Sequence, residues 1–526
     1  MSTALSSSKH AIEDDSERES LVAQAADDPE TAETTVLQGK PSPRSVNRFA
    51  PPPDAPHTDI SALSLSSSPA VSFEVPIVDE EEKGRFRILV LMSDTGGGHR
   101  ASAQALEAAF QKLYPGATDI CTVDFWKSVA GFPFHNFPQQ YSYCAKRPFL
   151  WRFLYMWAKF RPTRALTEFA FSLFCHSKVR RYFEAAEADL IISVHPLVNT
   201  LSLSVLAYMR DLYGRPTPPY VTVVTDLGGA HPTWFDGRAD LTFVPSEPLQ
   251  EMALENGVQE DRIRMLGLPI RSSFWEESRS IDELRKELGM ALHVPTVLLV
   301  GGGDGVGGIG AIADAIAVKI AEEVGTSGGQ LVVVCGKNKK LLEQMRARSW
   351  PVAVILKGFV NNMSEWMAAC DILCSKAGPG TIAEAWIRGL PIILTGFLPG
   401  QEEGNVQLVT ESGSGEFHAS PAAIAACAAR WVSDPELRGA VAGRATSMGR
   451  PSSSIEIARD VWQLGQTRLR EREAFRLRML QTPVQHVPNG YIAMTRYYLG
   501  SAVRSVQRVF MGMFGYHDAQ AARPRE

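Results

Sequence analysis

Residues 88–105 read ILVLMSDTGGGHRASAQA, and the change of character along this stretch decides the fold. Ile88 to Met92 form an apolar run without alternation, as expected of a strand buried on both faces of a parallel sheet. Gly96, Gly97 and Gly98 then break the chain, and an alanine-rich pattern of helical period follows. Glycines in such a turn let backbone N–H groups approach a ligand closely. His99 thus stands at the carboxyl end of a strand, where open α/β sheets bind ligands, and it is a candidate general base. Arg100 beside it disfavours a charged imidazole if it points inward and has no such effect if it points out.

Outward from this stretch the same alternation recurs. Apolar runs predict strands at 86–92, 189–194, 220–225 and 241–244, and a second set at 296–300, 331–335, 352–356, 371–374 and 391–395. Helical patterns separate most of them, which predicts parallel sheets joined by crossover helices. The chain therefore reads as α/β, with two Rossmann-like domains at 85–275 and 276–450. The boundary falls at the stretch SSFWEESRS, residues 272–280. Residues 420–448 read as the last helices of the second domain. Residues 451–526 read as a helical segment whose 453–480 part can pack back on the first domain. Residues 1–84 are rich in Ser, Pro, Thr, Ala and acids, show no sustained apolar period, and read as disordered.

Bulk properties exclude several classes. A formal net charge of -5 over 526 residues argues against a general nucleic-acid binder. The 7 scattered cysteines predict reduced core thiols, and Cys370 and Cys374 lack the second pair that a metal site would need. There is no HExxH and no Asp-x-Asp after residue 85, so neither a metal site nor a cofactor is expected. No apolar run reaches the roughly 18 residues of a spanning helix. Glu13, Asp14, Asp15, Glu17 and Glu19 are unlike an ordinary transit peptide, and no apolar region of a secretory signal opens the chain.

Several turns carry candidate chemistry. The second domain opens with VLLVGGGDGVGGIG (297–310), placing Gly302 and Gly303 after a strand. Such a turn fits a dinucleotide, a nucleotide sugar or a purely structural role. SKAGPGT (375–381) is a second, phosphate-type turn. Backbone amides at Gly378, Gly380 and Thr381, on either side of Pro379, would face an anion at the positive end of the following helix. Glu384 would either accept two hydrogen bonds from ribose hydroxyls or complement the helix dipole. Gln401, Glu402 and Asn405 in GFLPGQEEGNVQLV (396–409) suit sugar hydroxyls, and a plain polar loop would look the same. Arg271 in GLPIR is a cation for a diphosphate leaving group. Asp226 and His231 follow a strand of the first domain, with Asp226 either orienting an imidazole or capping the next turn.

In this order the motifs resemble the plant and algal monogalactosyldiacylglycerol synthases. The matching pieces are MSDTGGGHRAS (92–102), IISVHPL (191–197), VVTDL with HPTWF (223–235), GLPIR (267–271), LGM (288–290) and GGGDG (301–305). CGKNKKL (335–341), KGF (357–359), SKAGPGTIAEAWIRGLPIIL (375–394) and GQEEGN (400–405) complete the set. The resemblance covers roughly residues 85–450 and implies a B-type glycosyltransferase fold with the active site in the cleft between its domains. It implies inverting transfer of galactose from UDP-galactose to the sn-3 hydroxyl of 1,2-diacylglycerol. It also implies His99 as the base, Phe359 in a uracil pocket, Gly378 to Thr381 at the phosphates, Glu384 at the ribose, and Gln401 and Glu402 at the sugar. A related enzyme using UDP-glucose or another lipid acceptor is the first rival. A scaffold that has lost catalysis and a nucleotide-dependent oxidoreductase are the others.

The implied acceptor is insoluble, so a membrane surface must be reached. Between residues 126 and 164, aromatics including Phe134, Trp151 and Trp157 interleave with cations including Arg152. This composition suits anionic lipid headgroups at an interface, and a core helix with a solvated basic face reads alike. The region also resembles the family's variable acceptor-side insert, so Gly97, Gly98, Asp226 and His231 are grouped with it on the acceptor side. The tail 491–514, with Arg496, Arg504 and Arg508 on one helical face, is a second amphipathic candidate. The family works at plastid envelopes, which implies a peripheral enzyme there.

Overall fold

A computed structural model describes residues 84–95, 97–145, 147–301 and 308–481. Residues 1–83, Gly302, Gly303 and the tail 491–514 lie outside the described residues. β1 (Phe86–Met92), β2 (Thr118–Asp124), β3 (Leu190–Ser193), β4 (Tyr220–Val223), β5 (Leu241–Val244) and β6 (Ile263–Met265) form one sheet in the order β2-β1-β3-β4-β5-β6. β7 (Thr296–Val300), β8 (Gln330–Val334), β9 (Ala353–Lys357), β10 (Ile372–Ser375), β11 (Ile392–Leu394) and β12 (Gly415–Phe417) form another in the order β12-β11-β10-β7-β8-β9. Every pairing is parallel.

The continuous apolar runs have a direct cause. On β1, Leu89 and Leu91 enter a core beneath the helix Arg161–Ala186, while Ile88, Val90 and Met92 enter a core on the opposite face. On β7, Leu298 and Val300 go one way and Val297 and Leu299 the other. Each strand feeds two cores, so both side-chain phases are apolar.

The apolar runs miss β2, β6 and β12, and all three are edge strands. β2 (TDICTVD) is mostly half-exposed, β6 has two exposed residues of three, and β12 is only 3 residues long. An edge strand needs no apolar residue on every face, so the signal that marks the central strands is absent.

The last described helix, Ser453–Gln481, returns from the second sheet to the first. Ile457, Ala458 and Val461 are fully buried beside Phe86 and Phe110. Trp462 stacks on Tyr114 at 4.2 Å and meets Phe86 edge-on at 5.4 Å. The hydroxyls of Ser453 and Ser454 donate to the carbonyls of Leu266 and Ile270, and Arg468 pairs with Asp240.

The two sheet layers touch through bare backbone. A Cβ on Gly228 would lie 2.0 Å from the Gly404 carbonyl oxygen, and one on Gly404 would lie 2.2 Å from that of Gly228. Beside them Asn405 is fully buried. Its Oδ1 accepts from the Gly228 N–H at 2.7 Å, and its Nδ2 donates to the Ala377 carbonyl at 2.8 Å. Gly404→Ala is expected to destabilise the protein by about 1–3 kcal/mol, because backbone must move to admit the methyl group. Urea denaturation of the purified variant measures this, and an unchanged midpoint would show that the seam is loose.

Candidate active site

In the first sheet the strand order reverses at β1 and β3, and in the second at β7 and β10. Ligands of open α/β sheets bind outside the carboxyl ends of strands at such points. The segments after β1, β3 and β4 carry His99, His195 and Asp226. Those after β10 and β11 carry Gly378 to Thr381 and Gln401.

His99 lies in the first turn of the helix Gly97–Leu113 and is half-buried. Its Nδ1 is 2.9 Å from Thr225 Oγ1, and its ring stands edge-on to His195 at 4.9 Å and 6.1 Å from Trp234. Burial pushes the imidazole down to about 4, against a weaker opposing hydrogen bond to the Val194 backbone, so His99 is neutral near pH 7. Arg100 points out, clamping Asp94 through two hydrogen bonds of 2.9 and 2.7 Å. Gly98 is exposed, with open space where a Cβ would stand. Two neighbours were not singled out from sequence. His195 is buried, with Nε2 3.1 Å from Thr95 Oγ1, and Thr225 holds the His99 ring. The quoted motifs contained both, but nothing local marked them.

Asp226 takes neither of its expected roles. Its buried carboxylate accepts from the Trp234 indole at 2.6 Å and from Gln401 Nε2 at 3.5 Å. Desolvation raises it to about 6, against the two hydrogen bonds. His231 instead turns its Nδ1 to Thr233, capping the short helix Pro232–Trp234.

On the facing side, Gly378 caps the helix Pro379–Ile387, whose first turn holds Gly380 and Thr381. Gly380 has open space where a side chain would be. Lys376, absent from the sequence candidates, reaches over this helix end. A Cβ on Gly378 would lie 3.4 Å from Lys376 Nζ. The one local clue was a lysine inside a phosphate-type turn.

Glu384 is one turn into this helix, with its Oε1 3.4 Å from Arg271 Nη2. Desolvation raises it to about 7, against the pull of Arg271. The Nε of Arg271 is buried with no acceptor among the described residues. An unsatisfied guanidinium N–H near a helix N-terminus is suited to an anion.

Some expected contacts are occupied by the protein itself. Glu402 is buried, with Oε1 2.5 Å from Lys376 Nζ and Oε2 accepting from the Leu398 N–H at 2.8 Å. Asn405 holds the seam between the two halves, and both ends of its amide are taken by backbone. Phe359 is exposed beyond β9. Among the described residues, one His/Cys/carboxylate group is close enough to suit a metal ion: Glu416, His418 and Cys427 at edge strand β12. The Arg430 guanidinium already sits on Glu416 and Cys427.

The segment between β2 and β3 holds the helices Phe137–Ala145, Pro148–Lys159 and Arg161–Ala186. Phe134 packs inward, 4.9 Å from the Phe171 ring and 6.1 Å from Trp126. Trp151, expected at the lipid surface, is buried and donates its indole N–H to the Pro399 carbonyl at 3.0 Å. Arg152 and Trp157 are exposed. So are Phe149, Phe153 and Met156, spaced to share one face of their helix, and Leu166, Phe169 and Leu173 on the next. No described helix is long and apolar enough to cross a membrane.

Two parallel six-stranded sheets, joined where the loops beyond β4 and β11 meet, make a two-domain α/β fold of the kind glycosyltransferases use. Comparison with known proteins agrees. Residues 99–270 match the family described as monogalactosyldiacylglycerol (MGDG) synthase, and residues 296–420 match the glycosyltransferase family 28 C-terminal domain. The chain is 40% identical over 393 residues to a chloroplastic monogalactosyldiacylglycerol synthase of Spinacia oleracea, covering 74% of each. It is 39% identical over 381 residues to monogalactosyldiacylglycerol synthase 1 of Arabidopsis thaliana, covering 72% of this chain and 71% of that one. It also aligns with the crystal structure of Acinetobacter baumannii MurG at 11% identity and a TM-score of 0.47, over 72% of this chain and 99% of that one. The chain belongs to the monogalactosyldiacylglycerol synthase family.

The raised carboxyls carry a stability signature. Glu384 is raised from 4.5 to about 7 and Asp226 from 3.8 to about 6, so between these limits the folded state holds protons that the unfolded chain releases. The contribution of these two carboxyls to stability therefore falls as pH rises from about 4 to 7, while the depressed histidines His99 and His231 act in the opposite direction. Glu384→Gln removes one of the two carboxyl titrations, and its thermal midpoint relative to wild type is expected to rise between pH 5 and 7. Parallel curves for the two proteins would contradict the desolvation of Glu384.

Proposed function

We propose that the protein moves galactose from UDP-galactose to the sn-3 hydroxyl of 1,2-diacylglycerol, with inversion at the anomeric carbon and without a metal or cofactor. One observation carries this reading. A chain of this family carries a buried, deprotonation-prone histidine beyond β1 and a glycine-rich helix start beyond β10, and the loops beyond β4 and β11 bring their two sheets into contact.

The acceptor oxygen attacks the anomeric carbon as the bond to the β-phosphate oxygen breaks, and UDP leaves with the bonding electron pair. The hydroxyl proton passes to His99. A base held at about 4 cannot ionise a free alcohol, so transfer becomes favourable only as the new C–O bond forms and acidifies the hydroxyl. Amides at Gly380 and Thr381, with Arg271 and Lys376, stabilise the charge growing on UDP, whereas the Gly378 N–H already donates to the Lys376 carbonyl at 2.8 Å and Pro379 has none. Glu384 takes the ribose. Gln401 faces the sugar, while Glu402 holds the loop that carries it. Phe359 completes the nucleotide side.

His99→Ala is expected to lower kcat by about 10²–10⁴-fold while leaving UDP affinity nearly unchanged. The assay is purified protein with diacylglycerol vesicles and competing UDP-galactose and UDP-glucose. Wild-type turnover in the variant would remove His99 from the reaction, and preferential glucose transfer would replace the donor.

The exposed apolar face of the helices between β2 and β3 supports peripheral attachment to anionic membranes, with Arg152, Lys159 and Arg161 alongside for headgroups. The relatives are named chloroplastic, so the plastid envelope is the proposed site. Replacing Phe149 and Phe153 together by Ser is expected to weaken binding to anionic vesicles by tenfold or more, at ~1.5 kcal/mol or more per lost aromatic anchor. Sedimentation with liposomes measures it, and undiminished binding would move the membrane contact elsewhere.

A further inference from the structure

The helix Pro148–Lys159 has two faces with different partners. Phe149, Phe153 and Met156 point outward, whereas Trp151 and Tyr155 lie half a turn away and point inward. Both inward residues meet the loop that carries Gln401. The Trp151 indole donates to the Pro399 carbonyl at 3.0 Å. Gly400, at φ +80°, lies so close to Tyr155 that a Cβ there would be 2.7 Å from the ring. From the preceding helix, Phe137–Ala145, Tyr141 packs edge-on against Trp151 at 5.2 Å and donates its hydroxyl to Gln401 Oε1 at 3.2 Å. Three aromatic side chains of the acceptor-side insert thus grip residues 399–401.

The hydrogen bonds at Gln401 also fix which way its amide faces. A buried carboxylate, Asp226, lies on the Nε2 side at 3.5 Å, and a phenol that burial keeps protonated lies on the Oε1 side. A flipped amide would set oxygen against carboxylate. Asp226 is itself anchored by Trp234, so the line Tyr141–Gln401–Asp226–Trp234 runs from the insert through the donor loop to the acceptor domain. An amide has two N–H donors and two carbonyl lone pairs. One of each is used here, which leaves one donor and one acceptor in known directions for a ligand.

We propose that Tyr141 is a positioning residue for donor-sugar recognition: it holds the Gln401 amide in the orientation that reads the sugar hydroxyls. The insert then serves the donor as well as the lipid. This rests on the reading above that Gln401 faces the sugar of a UDP-sugar donor. A role in folding alone would affect sugar and nucleotide recognition equally, whereas positioning affects only the sugar.

The test measures binding of UDP and of UDP-galactose by calorimetry to the full chain, as wild type, Tyr141→Phe, Gln401→Ala and the double variant. Tyr141→Phe keeps the ring and its packing and removes only the hydroxyl. UDP-galactose affinity is expected to fall about three- to tenfold, the range for one neutral hydrogen bond, with UDP affinity unchanged. In the Gln401→Ala background the same substitution is expected to have no further effect, because its partner is gone. Equal losses for UDP and UDP-galactose, no loss at all, or a loss that persists without Gln401 would each overturn the proposal. If wild type prefers UDP-glucose, the donor reading fails, and the same four proteins titrated with UDP-glucose still decide the role of Tyr141.

Discussion

Everything in the cleft depends on a contact between two bare peptide segments. Gly228, just beyond β4 of the first sheet, and Gly404, at the start of the helix Glu403–Glu411 of the second, pass so closely that neither has room for a methyl group. Asn405 closes the seam by hydrogen-bonding backbone on both sides. Two switch points on separate sheets make a site only if they face each other at a set distance. A backbone contact sets that distance more tightly than side chains would, because it has no rotamers to vary. Asp226 is two residues from the seam on one side and Gln401 three residues from it on the other, so their hydrogen bond follows from the contact.

Burial sets the electrostatics of the site. It removes water from His99, His195, Asp226 and Glu384. Desolvation then pushes the two imidazoles down and the two carboxyls up. The two imidazoles are therefore neutral near pH 7, and the two carboxyls keep their protons to a higher pH than free acids do. In the proposed reaction, charge developing on a leaving diphosphate would be felt strongly in such surroundings, since little water competes with the groups that would meet it.

The central strands and their glycine-rich turns were legible because each rests on a local property. A strand between two helical layers must be apolar on both faces, and the turn after it must be compact. Edge strands β2, β6 and β12 escape this rule because one side of each is open. Within the site, His99 and the turn at Gly378 were legible for the same local reason. Trp151 was not: its aromatic and basic neighbours read as a membrane surface, and a helix-face argument cannot say which face turns inward. Asn405 and Glu402 read as sugar contacts because a polar residue on a loop looks alike whether it meets a ligand or a distant backbone.

By itself the sequence determined two doubly covered parallel sheets and the loops at their carboxyl ends, because burial on two faces dictates residue type position by position. Only the tertiary structure decided which polar side chains on those loops remain free for a ligand. The partners that occupy them come from far along the chain: Gly228 lies 177 residues from Asn405, and Tyr141 lies 260 from Gln401. The direction of an amide is set by what stands opposite it, and no local pattern carries that information. The histidine after the three glycines was visible from the start, but its neutrality came from burial among Val194, His195, Thr225 and Trp234, which lie far along the chain and enclose it.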